Sequence, residues 1–317
     1  MLKEQGFYKG VNLGGWLSQC DYSPERLDGF ITEADFRQIA AWGFDHVRIP
    51  LDYNVIQNGD GSMKEDGLHR IDNALALCEK YGLHTVLDLH KTQGFSFDAG
   101  EREAGFFENE DFQERFYAIW ECLARRYGHL HERVMFELLN EVTEERYLAA
   151  WKRISRECVR RIRVFAPDTL ILLGSYQWNS ARTLPALDAP YDDKVLYNFH
   201  FYEPHDFTHQ GAYWEAPYRD ISGRFSYAES GASEGYFEEF LRPALEKAEK
   251  EGCELYCGEY GVIDVVPPEE AMHWFRDLHG VFERHGIARS LWSYKQMDFG
   301  LSDPRMDGVR KELLPLL

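Results

Sequence analysis

The sequence predicts a (β/α)8 barrel, an α/β fold in which eight parallel strands alternate with helices. Two observations support this prediction. The chain has 317 residues, which suits one barrel of about 250 residues with loop insertions. Short apolar runs also alternate with longer amphipathic stretches, a pattern typical of βα units around a parallel sheet. We therefore expect a single domain over residues 1–317, without a linker, repeat or second domain.

Eight short apolar runs are candidates for the strands. They are Tyr8–Asn12, His46–Pro50, Thr85–His90, Val134–Asn140, Leu170–Gly174, Val195–His200, Leu255–Glu259 and Ser290–Tyr294. Amphipathic stretches predict the intervening helices. These helices are expected near residues 33–42, 67–82, 108–128, 144–166, 235–251 and 268–285, with a short fifth one near 180–187 and a closing one near 308–316.

The first helix carries a clear start signal. Thr32 is the predicted N-cap, and Asp35 three residues later completes an aspartate variant of the capping box. Ile31 and Phe36 occupy the two positions of a hydrophobic staple. This agreement between cap and apolar pattern supports a helix start at residue 33.

The charge balance excludes some classes of partner. The chain has 35 basic and 54 acidic residues, a formal net charge of −19. A surface this acidic repels phosphate backbones and anionic lipid. We therefore expect neither a nucleic-acid nor a membrane partner, and the charge is compatible with a neutral substrate.

The cysteines and the start of the chain bear on the compartment. The six cysteines are scattered, several of them in apolar helical stretches, which predicts buried reduced thiols rather than disulfides. The first ten residues lack the apolar segment of a signal peptide, and no run of 18 apolar residues occurs. We therefore expect a cytoplasmic protein, and a monomer.

Polar residues recur at the carboxyl ends of the predicted strands, where barrel enzymes build their active sites. These residues are Asn12, Arg48, His90, Asn140, Glu141, His200, Tyr202, Glu259 and Trp292. Most of them also have a structural interpretation, such as an ion pair, a core histidine or aromatic packing. Glu141 and Glu259 fit such an interpretation least, because a buried carboxylate without a partner is strongly unfavourable. Two carboxylates facing one barrel mouth are what cleavage of a glycosidic bond needs.

The same segments carry a resemblance to a known family. The motifs are Gly10–Trp16, Val47–Pro50, Leu87–His90, Leu138–Glu141, Asn198–Tyr202, Gly258–Gly261 and Leu291–Tyr294. In this order they resemble glycoside hydrolase family 5, of clan A. The eight functional positions of that family are matched by Arg48, His90, Asn140, Glu141, His200, Tyr202, Glu259 and Trp292.

Within the family, the chain looks closest to intracellular clostridial endoglucanases that act on mixed-linkage β-glucan. Phe136–Val142, Phe207–Gln210 and Tyr294–Phe299 carry that resemblance. The region after the sixth strand, about 203–233, is shorter here than in those enzymes, and we expect it to lie as a long loop over the active-site face. Leu17–Cys20 replaces the Leu-Glu pair that restricts the cleft of fungal exo-glucanases, so the resemblance implies endo-type cleavage of β-1,4 or mixed β-1,3-1,4 glucans and their oligosaccharides.

The resemblance also implies catalytic roles in a retaining mechanism without a cofactor or metal. Glu259 is the expected nucleophile and Glu141 the expected general acid/base, with carboxyls about 5–5.5 Å apart. Arg48 and Tyr202 are expected to depress the pKa of Glu259, and His200 to tune Glu141.

The remaining candidates are expected to bind sugar. Asn140 would bond the 2-hydroxyl, His90 another hydroxyl of the same ring, and Trp292 would stack beneath that ring. Further sugar platforms are expected at Trp16, Trp178 and Trp214.

Several alternatives share these residues. Within the same family they are an exo-β-1,3-glucosidase, a β-glucosidase, a β-mannanase and a transglycosylase. A metal-dependent hydrolase would use Asp88, His90 and His200, but would leave the carboxylate pair unexplained. A non-catalytic carbohydrate-binding barrel would not require both carboxylates.

Overall fold

A computed structural model describes residues 1–98, 103–221 and 226–317 of the chain. Over these residues, eight parallel strands follow one another around a closed barrel, and the first pairs with the eighth. The strands are β1 (Lys9–Asn12), β2 (His46–Asp52), β3 (His84–Lys91), β4 (Val134–Glu137), β5 (Ile171–Gly174), β6 (Val195–Phe201), β7 (Leu255–Tyr260) and β8 (Ala288–Leu291). The predicted fold is confirmed.

Long helices surround the barrel. They are α1 (Glu33–Ala41), α2 (Glu65–Tyr81), α3 (Glu110–Tyr127), α4 (Leu148–Arg163), α5 (Glu234–Glu251) and α6 (Pro268–His285). Two predicted helices are shorter than expected. The fifth is the 3₁₀ helix Ala181–Ala186, and the closing one is Arg310–Leu313 followed by the 3₁₀ turn Leu314–Leu316.

Short helices lie in the loops between these elements. They are Pro24–Gly29, Tyr53–Ile56, Tyr176–Asn179, His205–Thr208 and Ala216–Arg219, with 3₁₀ turns at Gly128–Leu130, Glu145–Tyr147, Tyr227–Glu229 and Pro304–Met306. Three of them fall within the predicted long loop 203–233, whose residues 222–225 lie outside the described residues.

The outer helices are held by one apolar face. In α3, Phe116, Ile119, Trp120 and Leu123 are buried at the three- and four-residue spacing of a helical stripe. The Trp120 indole N–H donates to the carbonyl of Leu138, just beyond β4 (3.0 Å). Such contacts fix the carboxyl ends of the strands, where the candidate site residues lie.

A separate apolar cluster fills the barrel near the amino ends of the strands. Leu2, Phe7 and Tyr8 from the N-terminal segment enter it and pack against strand residues. Those strand residues are Val86, Met135, Leu172, Leu196, Tyr256 and Ala288. The N-terminal segment therefore seals the end of the barrel opposite to the candidate site.

The largest differences from the predicted strands are in β8 and β4. β8 is Ala288–Leu291 rather than 290–294, and its Arg289 is buried because it pairs with Glu283 (2.9 Å) and the Leu317 carbonyl. β4 ends at Glu137 rather than at 140, because the chain bends toward β3, where the Asn140 amide donates to the Leu89 carbonyl.

The remaining predictions about local structure are largely confirmed. The Thr32 amide donates to Asp35 (2.8 Å) at the start of α1, and Ile31 and Phe36 are buried. The six cysteines are unpaired, as expected, but only half of them are buried. The buried ones are Cys78, Cys158 and Cys257, and the partly exposed ones are Cys20, Cys122 and Cys253. Among the described helices, none has both the length and the apolar character needed to cross a membrane.

Candidate active site

The two candidate catalytic carboxylates meet at the carboxyl end of the barrel. Glu259 lies near the end of β7, and Glu141 follows the bend after β4 with a left-handed backbone (φ 42°). Their side chains are nearly buried, since the two residues are 5% and 9% exposed. One oxygen of each carboxylate and one nitrogen of His200 all lie within 4.8 Å of one another.

Glu259 is held by two donors. The Arg48 guanidinium donates to its Oε1 (2.7 Å), and the Tyr202 hydroxyl donates to its Oε2 (3.0 Å). Burial raises the pKa of Tyr202 well above its usual value, so the phenol keeps the proton that it donates. Both contacts therefore stabilise the negatively charged form of Glu259.

Glu141 lies in a different electrostatic environment. A hydrogen bond of 2.7 Å joins its Oε1 to His200 Nδ1. Burial keeps the pKa of His200 well below its usual value, so this partner is a neutral imidazole. Burial and the neighbouring charge of Glu259 raise the pKa of Glu141 well above its usual value. This environment therefore favours the protonated form of Glu141.

Arg48 and Tyr202 both lower the pKa of Glu259, as expected, but its net pKa is raised because burial outweighs them. The contrast between the two carboxyls nevertheless remains, because Glu259 contacts a cation and Glu141 contacts a neutral ring.

Arg48 is the centre of the buried polar network. Its side chain is fully buried, and its nitrogens contact the acceptors of five residues. These contacts are Glu137 (2.7 and 2.8 Å), Glu259 (2.7 Å), Asn140 (2.8 Å), Asn12 (2.9 Å) and Asp88 (3.0 Å). One guanidinium thus orients most of the polar side chains of the site.

His90 and Trp292 form a wall beside the carboxylates. Their rings lie parallel, 5.8 Å apart with an interplanar angle of 5°. The ring of Phe97 lies nearly perpendicular to that of His90, at an interplanar angle of 82° with the ring centres 4.8 Å apart. His90 Nδ1 is bonded to Asp88 Oδ2 (2.6 Å), and burial lowers the pKa of His90 to about 4.

Several buried polar atoms around the carboxylates have no partner within the described residues. They are Asp88 Oδ1, His90 Nε2, Asn140 Nδ2 and His200 Nε2. Each such atom is unfavourable by about 1–3 kcal/mol when nothing bonds to it. Their grouping in one place marks a surface built to bind a polar molecule.

The glycines of the site segments leave room for site side chains. A Cβ on Gly14 would lie 2.9 Å from the Trp292 ring, and one on Gly261 would lie 2.5 Å from the Trp292 carbonyl oxygen. A Cβ on Gly258 would lie 2.8 Å from Asn198 Oδ1. These positions need glycine because of close approach.

Of the three further tryptophans, only two are exposed enough to act as platforms for a sugar ring. Trp16 is 5% exposed, its indole N–H donates to the Leu27 carbonyl (2.8 Å), and its ring packs against Phe36. The prediction of a sugar platform at Trp16 is therefore corrected, because the ring is part of the core.

Trp178 and Trp214 are exposed and connected to the site. Trp178 is 50% exposed, and its amide donates to the carbonyl of Val142, next to the acid/base candidate. Trp214 is 40% exposed and contacts His209, whose ring in turn contacts Tyr202.

Some residues of the site were missed. Glu137 holds Arg48 through both carboxylate oxygens, and Asn198 donates to Glu137 (2.8 Å) and accepts from the Gly258 amide (3.0 Å). Tyr213, exposed beside Trp214, was also missed. A polar side chain inside an otherwise apolar strand was the available signal for Glu137 and for Asn198, whereas Tyr213 had none.

The metal alternative is not favoured by the positions of its ligands. Across the described ranges, the only three potential ligands that come within 4.8 Å of one another are Glu141, His200 and Glu259. The trio expected of a metal hydrolase, Asp88, His90 and His200, does not meet that criterion. His90 Nδ1 and Asp88 Oδ2 are bonded to each other.

The sequence and the fold are both similar to those of known proteins. The pattern that describes the family Cellulase (glycosyl hydrolase family 5) matches residues 6–298. Cellodextrinase A of Ruminococcus flavefaciens is 58% identical over 289 residues, which are 91% of this chain and 86% of that protein. Endoglucanase C of Acetivibrio thermocellus is 39% identical over 340 aligned positions, covering 98% of both. The crystal structure of endoglucanase Cel5A from Thermotoga maritima has the same fold, with a TM-score of 0.85 at 24% identity, over 99% of this chain and 97% of that one.

Proposed function

The chain belongs to glycosyl hydrolase family 5, and from that premise we propose that it is a retaining, endo-acting β-glucanase. Its substrates are β-1,4 or mixed β-1,3-1,4 glucans and their soluble oligosaccharides. The reaction is a double displacement with Glu259 as nucleophile and Glu141 as general acid/base, and it uses no metal or cofactor.

One observation carries this proposal. Two buried carboxylates have oxygens within 4.8 Å of each other, one beside a guanidinium and one beside a neutral imidazole. Retaining enzymes hold their carboxyls about 5–5.5 Å apart, whereas inverting enzymes need about 6.5–9.5 Å to admit a water. The asymmetry of charge supports Glu259 as the nucleophile and Glu141 as the general acid/base.

In the first step, the ionised Glu259 attacks the anomeric carbon while Glu141 gives its proton to the leaving oxygen. The bond between the sugar and the leaving oxygen breaks, and an ester between the sugar and Glu259 forms. Forming this ester removes the charge of Glu259, which lowers the pKa of Glu141. Glu141 can then act as a base on water, which releases the sugar and restores Glu259.

In this proposal, the buried polar atoms that have no partner within the described residues bind the sugar ring. The Asn140 amide is the donor for the 2-hydroxyl, a contact that strengthens in the transition state. Its orientation is fixed, because its Oδ1 accepts from Arg48 (2.8 Å). Trp292 supplies the apolar face on which the ring stacks.

Endo action is supported by the exposed aromatic rings. Trp178, Tyr213 and Trp214 are among the most exposed large apolar side chains of the described residues, and they belong to the loops that follow β5 and β6. Exposed rings on loops at the carboxyl end of the barrel can hold successive sugars of a chain. The similarity to a cellodextrinase and to an endoglucanase supports soluble glucan chains as substrates.

The stereochemical test uses early products. Proton NMR of the first minutes of hydrolysis should show the β-anomer before mutarotation, because the protein and not water attacks first. An initial α-anomer would mean inversion and would overturn the double displacement.

The endo test compares viscosity with reducing ends. On mixed-linkage glucan, viscosity should fall much faster than reducing ends accumulate, and early oligosaccharides should vary in length. Glucose as the only early product would replace endo action by the exo-glucosidase alternative.

A further inference from the structure

His90 makes an unusual pair of contacts for a sugar-binding residue. Its Nδ1 is bonded to Asp88 Oδ2 (2.6 Å), and its Nε2 is buried without a partner within the described residues. The ring is held in place by the parallel ring of Trp292 and the nearly perpendicular ring of Phe97. The orientation of His90 is therefore fixed, and its bonding capacity depends on which nitrogen carries the proton.

Arg48 determines the polarity of the contact between Asp88 and His90. The oxygen that faces His90, Asp88 Oδ2, also lies 3.0 Å from Arg48 Nη2. A guanidinium nitrogen can only donate. The N–H groups of Arg48 Nη2 bond Glu137 and Asn140 (both 2.8 Å), so its approach to Asp88 is an ion pair that favours an ionised Oδ2. An ionised carboxylate oxygen can only accept, so Oδ2 accepts from His90 Nδ1–H.

We propose that Asp88 is a positioning residue that holds His90 as the Nδ1–H tautomer, so that Nε2 presents an acceptor to the substrate. The tautomer of a histidine is set by the bond that its other nitrogen makes. The partner of Nε2 must then be a donor, which on a neutral sugar is a hydroxyl group. This inference rests on the proposed function and extends it to the recognition of one hydroxyl.

In this arrangement the site binds the hydroxyl groups of one sugar ring through one hydrogen-bond donor and one hydrogen-bond acceptor. Asn140 offers a donor, since its Oδ1 is occupied by Arg48 and its Nδ2 has no partner within the described residues. His90 offers an acceptor. A substrate that lacks the hydroxyl facing His90 leaves a buried acceptor unpaired, which costs about tenfold in kcat/KM for a neutral hydrogen bond.

The tautomer can be measured without substrate. In protein labelled with ¹⁵N-histidine, long-range ¹H–¹⁵N correlations at pH 8 distinguish a protonated from an unprotonated ring nitrogen. Burial raises the pKa of Asp88 to about 7, so at pH 8 its carboxylate is ionised. The His90 signals, assigned with a His90→Gln variant, should show a proton on Nδ1. A proton on Nε2 would overturn the proposal.

The functional test uses three variants and a set of deoxy substrates. The substrates are 4-nitrophenyl β-cellobioside and its analogues that lack the 2-, 3- or 6-hydroxyl of the ring next to the aryl group. Asp88→Leu removes the acceptor, and Asp88→Asn keeps one, because Arg48 requires the amide oxygen in the Oδ2 position. Glu137→Gln is the control, since Glu137 forms an ion pair with Arg48, as Asp88 does, but no hydrogen bond to His90 within the described residues.

The wild type should prefer the parent substrate over one of these analogues by about tenfold through His90. Asp88→Leu should reduce that preference to about twofold, while Asp88→Asn and Glu137→Gln should retain it even if their rates fall. Equal loss of preference in Glu137→Gln would mean that disorder around Arg48, and not the tautomer, is responsible. If the wild type cleaves no aryl cellobioside, the proposed function fails, and the NMR result still decides the tautomer.

Discussion

At the scale of single residues, one cation separates the roles of two similar carboxyls. Arg48 lies 2.7 Å from Glu259, and the contact of Glu141 is with the uncharged ring of His200. The carboxyls share almost the same burial, so burial alone would treat them alike. The asymmetry therefore comes from the placement of the guanidinium, and it can be tested at either carboxyl.

Removing each carboxyl should have a distinct chemical signature. Glu259→Ala should abolish hydrolysis, because no glycosyl-enzyme can form. Glu141→Ala should lose activity mainly on natural glycosides and still form the intermediate from substrates with good leaving groups. Azide should then speed turnover of those substrates and give a β-glycosyl azide, detected by NMR. An α-glycosyl azide from Glu259→Ala, with no rescue of Glu141→Ala, would exchange the two roles.

Tyr202→Phe should change the pH dependence in one direction. The Tyr202 hydroxyl stabilises the charged form of Glu259, so removing it raises the pKa of Glu259. Because attack requires the ionised carboxylate, the acid limb of kcat/KM should move to higher pH, by about half to one unit. Tyr213→Phe, which changes an exposed tyrosine, should leave the profile unchanged. A move to lower pH would contradict the role of this bond.

At the scale of strands and loops, the sequence predicts the features that depend on the pattern of neighbouring residues. The apolar run of β7 followed by a charged residue located Glu259 at the barrel mouth. The start of β8 was missed because Arg289 appears unsuited to a buried strand until its partner Glu283, on α6, is known. Trp16 was misjudged for a similar reason, since its burial depends on the loop that carries Leu27. Tertiary contacts of this kind cannot be predicted from the neighbouring sequence.

The loop after β1 should be sensitive to a single added methyl group. A Cβ on Gly14 would lie 2.9 Å from the Trp292 ring, so Gly14→Ala should displace that ring from its position beside His90. We expect kcat/KM to fall about ten- to a hundredfold, as for other small displacements of substrate-positioning groups. Gly29→Ala, where no atom lies within 4 Å of the new Cβ, is the control. Unchanged kinetics in Gly14→Ala would show that the ring has room to move.

At the scale of the whole molecule, the two ends of the barrel have different tasks. The carboxyl end holds buried polar atoms that have no partner within the described residues, and the amino end is closed by apolar packing around Leu2 and Phe7. Residues at the amino end of such barrels contribute to stability rather than to chemistry. Stability and activity should therefore respond to different substitutions.

Leu2→Ala should destabilise the fold without changing the chemistry. Leu2 is 1% exposed, and losing a buried leucine side chain costs about 2–5 kcal/mol. Urea unfolding should show that loss, while kcat/KM per folded molecule should stay within about twofold of the wild type. Gln5→Ala, at an exposed position of the same segment, should change neither quantity. A large loss of kcat/KM in folded Leu2→Ala would mean that the two ends are coupled.

The pairing of β1 with β8 also constrains how the barrel is made. Val11 lies beside Leu291, so the first strand of the chain finds its second neighbour only after nearly all of the other strands exist. During synthesis, the open edges of the growing sheet stay unpaired until β8 leaves the ribosome, and contacts this distant in sequence form slowly. Exposed strand edges invite pairing with other chains. The last strand therefore closes the barrel. Before it emerges from the ribosome, the nascent protein is most in need of protection from aggregation.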